Sequence, residues 1–130
     1  VIGIVIVAHG GLAKEYLSAV EHVVGAQNGI RAISIEAECN RQTKRDEIKS
    51  AVDSVDTGDG VVVVTDMFGG SPSNLSMTAC AQGNRKILYG ANLPMLVKLA
   101  KSRKLPLLDA VDKALNAGRK YINCCDGVPG

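Results

Sequence analysis

The chain has no tryptophan, one phenylalanine and three tyrosines among its 130 residues, so it offers little aromatic surface on which nucleobases could stack. Charge of one sign is also missing. Fifteen basic against thirteen acidic side chains leave a net charge of +2, far from the positive field of a nucleic-acid binder. Long apolar runs are absent: Val1 to Ala8 is apolar but short and carries no basic segment before it, so it reads as neither a membrane span nor a signal peptide. The expectation is a soluble, cytoplasmic protein. The four cysteines, Cys39, Cys80, Cys124 and Cys125, lack the paired C-x-x-C spacing of a zinc site, and the adjacent pair cannot close an unstrained mutual disulfide. Reduced thiols and no metal site are expected. No repeat or low-complexity linker appears, and no G-x-G-x-x-G follows the first apolar segment, which makes a dinucleotide-binding domain the weaker reading.

What is present suits one compact domain over residues 1–130, with a 46% hydrophobic composition sufficient for a full core. Its central stretch is VVVVTDMFGGSPSN, residues 61–74. Val61 to Val64 has no polar alternation, as in a parallel strand covered on both faces. Ser71 reads as a helix N-cap and Pro72 as a first-turn residue, where a missing N–H costs nothing. Gly69 and Gly70 allow the backbone to approach a ligand, and a helix N-terminus beside them favours an anion. An ordinary capped βα turn would have the same composition.

The remaining segments alternate in the same way. Residues 1–7 form a buried strand followed by His9-Gly10-Gly11, and Leu12, Tyr16, Val20 and Val23 then recur at helical spacing. Ile30 to Ile35 is a second strand, and Ile48, Ala51, Val52 and Val55 mark a second helix whose other face is charged. After the central loop come a helix with Leu75, Met77 and Ala79, a strand over Lys86 to Tyr89, and a helix from Asn92-Leu93-Pro94 to about Lys101. Pro106 opens a last helix with Leu107, Leu108, Val111 and Leu115 as its apolar face, and Tyr121 to Cys125 reads as a final strand. Strands alternating with helices imply an α/β fold, doubly wound on a mainly parallel sheet with right-handed crossovers.

In strand order 2-1-3-4, strands one and three are neighbours whose outgoing helices lie on opposite faces, and ligands bind at that switch point. His9 ends strand one and Asp66 ends strand three, so both are expected to line one crevice. A carboxylate accepting from one imidazole N–H fixes the tautomer and leaves the other nitrogen's lone pair free, which makes His9 a positioned nucleophile. A phosphoryl group is the natural electrophile, its oxygens received by the Gly69, Gly70 and Ser71 N–H groups and the Ser71 hydroxyl. His22 has no such company and is expected at the surface.

These residues resemble the IIA proteins and domains of the mannose-type bacterial phosphotransferase system. The resemblance runs through IVIVAHGGLA, VVVVTDMFGGSPSN and GANLPML, and covers essentially the whole chain. It implies that His9 accepts a phosphoryl group from phospho-HPr on Nε2 and donates it to a IIB partner, with Asp66 as the carboxylate partner and Met67, Phe68, Gly69, Gly70 and Ser71 as the phosphate cradle. It implies no cofactor, and a homodimer in which a C-terminal strand is exchanged. Two other readings keep the same histidine: a regulatory module whose phosphorylation controls a partner protein, and the phosphocarrier subunit of a dihydroxyacetone kinase. The DMFGGSPSN loop favours the mannose-type assignment.

Overall fold

The computed structural model describes residues 1–67 and 69–130. Four strands, β1 (Gly3–His9), β2 (Ile30–Ile35), β3 (Val61–Thr65) and β4 (Arg85–Leu88), form one parallel sheet in the order β2-β1-β3-β4. The expected topology is therefore the observed one. β3 is buried at all five positions, as its unbroken Val61 to Val64 run requires.

Among the described residues five helices cover the sheet: α1 (Leu12–Val24), α2 (Arg41–Val55), α3 (Ser71–Ser76), α4 (Leu93–Lys101) and α5 (Leu107–Lys120). Ile4, Ile6, Val62 and Val64 pack on the α1, α4 and α5 side, while Val5, Val7, Val61 and Val63 pack on the α2 and α3 side. α1 and α3, which leave neighbouring strands, thus lie on opposite faces of the sheet. That is the switch point, and it opens at the carboxyl ends of β1 and β3.

Several helix faces differ from their sequence reading. In α1 the buried positions are Ala13 and Val20, with Tyr16, Leu17 and Val24 packed beside them, while Leu12 and Val23 are exposed. In α5 Val111 is buried as read, but Leu108 is 62% exposed, and Ala110 and Ala114 face the core in its place. α5 packs closely on α4 there, so small residues occupy the contact and a leucine one position off the stripe turns to solvent. Met77 is likewise exposed, because α3 ends at Ser76 and the chain continues as a 3-10 turn over Thr78–Cys80. β4 begins one residue earlier than read, at Arg85.

Tyr121 to Cys125 is not a strand in this chain. Tyr121 is a turn that closes α5, and the residues after it carry no regular structure. A strand exists only through ladder bonds to a neighbour, and this segment finds none among the described residues.

Two buried arginines hold the end of the sheet away from the switch point. Arg85 donates to Asp56 at 3.1 Å and to the Ala79 carbonyl at 3.0 Å, and pairs with Asp53 at 2.9 Å. Arg103 donates to the Ile2 carbonyl at 2.7 Å and the Gly29 carbonyl at 3.3 Å. Burial pushes the Arg103 guanidinium down from its ordinary value.

Candidate functional site

His9 is the last residue of β1, and Asp66 follows the last residue of β3. The β1–β3 register pairs Val7 with Thr65, so the chain ends of the two strands rise together and bring His9 beside Asp66. Gly10 then turns the chain away with φ +56°, a conformation that suits glycine, and α1 starts two residues later. The histidine is left on a short rim between a strand end and a helix start.

Asp66 holds this histidine at two points with a single oxygen. Its Oδ2 accepts from the His9 backbone N–H at 3.0 Å and lies 2.8 Å from Nδ1, while Oδ1 accepts from the Met67 N–H at 3.0 Å. Burial would push the Asp66 carboxyl up, but the backbone N–H, the ring and the charge of His9 together outweigh it and hold the group below its ordinary value. An ionised carboxylate can only accept, so Nδ1 is the protonated nitrogen and Nε2 carries the lone pair whenever the ring is neutral. The Asp66 side chain is 11% exposed and that of His9 46% exposed, so the carboxylate is sheltered while the ring reaches solvent.

Nε2 lies against the glycine loop. A Cβ built on Gly70 would sit 3.1 Å from Cε1 of His9, 3.6 Å from Nε2 and 3.4 Å from Cγ of Met67. Only a glycine leaves this space beside the ring open. Gly69 has φ +82°, so the loop passes under the histidine through a left-handed turn.

The start of α3 is one residue earlier than its sequence reading. Gly70 is the N-cap, its carbonyl accepting from the Asn74 N–H at 3.0 Å, and Ser71 is the first helical residue. Because Gly70 is already extended at φ −81° and ψ 173°, Ser71 is drawn into the first turn, and its hydroxyl caps no N–H among the described residues. Among the described residues, the Gly70 and Ser71 N–H groups meet no protein acceptor. The Gly69 N–H points instead to the Ser73 hydroxyl at 3.4 Å, and Asn74 donates to the Gly69 carbonyl at 3.4 Å. Ser73 and Asn74 thus brace the loop, a role unnoticed in the sequence. The available signal was a pair of short polar residues one turn into a helix behind Gly-Gly.

Of the site residues read from sequence, His9, Asp66, Met67, Gly69, Gly70 and Ser71 surround one rim, with Met67 55% exposed. Phe68 lies outside the described residues. His22 is exposed in the last turn of α1, away from this rim. Among the described residues no cluster of His, Cys, Asp and Glu could hold a metal ion, and no helix is long and apolar enough to cross a membrane.

Comparison with known proteins agrees with this fold. Residues 3–115 match the family model described as PTS system fructose IIA component. The PTS system mannose-specific EIIAB component of Escherichia coli K12 is 28% identical over 98% of this chain, which spans 41% of that relative's length. The PTS system sorbose-specific EIIA component of Lacticaseibacillus casei is 30% identical over 75% of this chain and 70% of its own. The crystal structure of the PTS IIA protein associated with the fucose utilization operon of Streptococcus pneumoniae superposes with a TM-score of 0.81 at 30% identity, covering 93% of this chain and 91% of the other. With residues 3–115 matched by the family model and a parallel sheet in the order 2-1-3-4 shared with solved IIA structures, this chain belongs to the EIIA-man family of phosphotransferase-system IIA components.

Proposed function

We propose that this protein is a cytoplasmic phosphoryl carrier that accepts a phosphoryl group from phosphorylated HPr on His9 Nε2 and passes it to a IIB component in phosphoenolpyruvate-dependent sugar uptake. The observation that carries the reading is the pair of contacts on one ring: Nδ1 lies 2.8 Å from Asp66, and Nε2 borders the space kept open by Gly70. In the forward step the Nε2 lone pair forms a bond to phosphorus as the bond to the donor breaks, the donor leaving with the electron pair. Phosphoryl transfer needs mainly in-line positioning and stabilisation of the equatorial oxygens. The Gly70 and Ser71 N–H groups and the Ser71 hydroxyl supply the second, with Met67, Phe68 and Gly69 completing the cradle. Asp66 stabilises the ring through Nδ1 as positive charge develops on it. The second transfer runs the same chemistry in reverse onto the acceptor.

The same reading includes a homodimer. β4 is an edge strand whose outer side has no strand partner among the described residues, and Tyr121 and Ile122 stand 67% and 75% exposed just beyond α5. A cavity of about 330 Å³ beside β4 is bordered by Leu88, Tyr89 and Ile122. Pairing of Tyr121 to Cys125 with β4 of a second copy would satisfy both edges at once.

Incubation with phosphoenolpyruvate, enzyme I and HPr tests the chemistry. The label should be acid-labile and base-stable, as a phosphoramidate is, and phosphorus NMR should place it on Nε2. His9→Ala should abolish labelling and His22→Ala should not. Acid-stable label, or label surviving in His9→Ala, would overturn the mechanism. A pull-down of the protein that takes the label then distinguishes a IIB component from a regulatory target.

A further inference from the structure

α4 and α5 run antiparallel, joined by a short connection and locked by the Asn92 side chain, which caps α4 at Met95 and donates to the Gly118 carbonyl at 2.8 Å. Between their outer faces lies a groove of about 460 Å³. α4 contributes Pro94, Val97, Lys98 and Lys101, and α5 contributes Lys113, Asn116, Ala117 and Lys120. Each set follows the i, i+3, i+4, i+7 spacing of one helical stripe, so the groove extends over two turns, about 10 Å.

Four ammonium groups line it and no carboxylate does, although α5 also carries Asp109 and Asp112. None of the four is ion-paired among the described residues, and Lys120 lies over the Tyr121 ring at 5.4 Å. On α2, by contrast, Lys44 pairs with Glu47 and Lys49 with Asp53, each at 2.9 Å. Helix dipoles favour Lys98, Lys101 and Lys120, which occupy C-terminal turns, but Lys113 is in the middle of α5 and has no such support. Facing the groove is the property all four share. In a chain of net charge +2, this concentrates positive potential in one concave place.

We infer that this groove binds a compact aliphatic bisphosphate, with one phosphate toward Lys101 and Lys113 and the other toward Lys120, and Lys98 between them. Ammonium groups are point charges that follow phosphate oxygens without the planar match a guanidinium demands. Val97 and Ala117 give a short apolar patch suited to a carbon chain. A nucleobase has no platform here, because the one aromatic ring among the described lining residues, that of Tyr121, already faces Lys120. The site contains neither His9 nor the Gly69–Ser71 loop, so it stands or falls separately from phosphoryl transfer.

An amide-resolved NMR titration with hexane-1,6-diol bisphosphate at physiological ionic strength tests it. Saturable shifts are expected at Lys98, Lys101, Lys113 and Ala117. Affinity should fall about tenfold or more in a Lys98→Gln/Lys113→Gln variant with an unchanged circular dichroism spectrum, since two charge-assisted contacts are lost. Citrate should bind at least several-fold more weakly, and citrate of equal affinity would overturn the phosphate assignment. Shifts that grow linearly and match those of sodium chloride at equal ionic strength would overturn the site. So would shifts confined to Gly69–Ser71 that the lysine variant leaves unchanged, because the phosphate would then be occupying the loop.

Discussion

Asp66 Oδ2 meets both the backbone N–H of His9, at 3.0 Å, and its ring Nδ1, at 2.8 Å. One oxygen therefore fixes where the residue stands and which way the ring turns. The backbone bond would persist whatever the ring's protonation state, so the carboxylate remains placed while the imidazole gains or loses charge.

Replacing Asp66 by Asn separates these two effects. The amide can still accept from the backbone N–H, but it can also present its NH₂ to the ring and favour the other tautomer. Phosphoryl acceptance should slow at least about tenfold with the fold retained, read as the rate of labelling by phosphorylated HPr. Labelling at the wild-type rate would remove the orienting role. The pH dependence has a definite sign. The folded carboxyl is held below its ordinary 3.8, so its contribution to stability is complete above that value and is lost as pH falls through the lower folded one. Thermal melts of Asp66→Asn should therefore show a shallower loss of stability below about pH 4 than the wild type.

Gly70→Ala tests the open space beside the ring. The backbone at φ −81° and ψ 173° accepts any residue, so global stability should change by less than about 1 kcal/mol. The new methyl, 3.1 Å from Cε1, would press on His9 and narrow the approach to Nε2, slowing acceptance about ten- to a hundredfold. Comparing urea denaturation with labelling kinetics checks both halves.

Arg85→Ala should destabilise the fold by about 2–4 kcal/mol, because Asp56 loses its charged partner and the Ala79 carbonyl its donor, with Asp53 contributing less since it reaches solvent. Equilibrium urea unfolding measures the loss. Labelling of the remaining folded protein should be unaffected, as this arginine is at the far end of the sheet from His9.

Truncation after Lys120 tests the proposed homodimer. It removes Tyr121 to Cys125 and everything that follows, leaving α5 intact, and should convert dimers to monomers by light scattering. An unchanged mass would show that this segment does not join two copies.

Periodicity and strand composition carried most of the architecture. A run such as Val61 to Val64 has to be covered on both faces, and once strands and helices alternate, the right-handed crossover rule leaves few topologies. The order β2-β1-β3-β4 then brings the residues after β1 and β3 to one rim, which is why His9 and Asp66 could be paired before any coordinates. Local composition could not say which residue opens α3, because Gly70 and Ser71 differ as caps only through the backbone angles that the loop imposes. Nor could it say that Ala110 and Ala114 would be inside and Leu108 outside, which depends on how closely α5 approaches its neighbours. Nor could it say that Arg85 and Arg103 would be buried, since only the fold surrounds them with carbonyls and carboxylates from distant segments. Each of these outcomes depends on partners far away in sequence, and three-dimensional packing sets the distances between them.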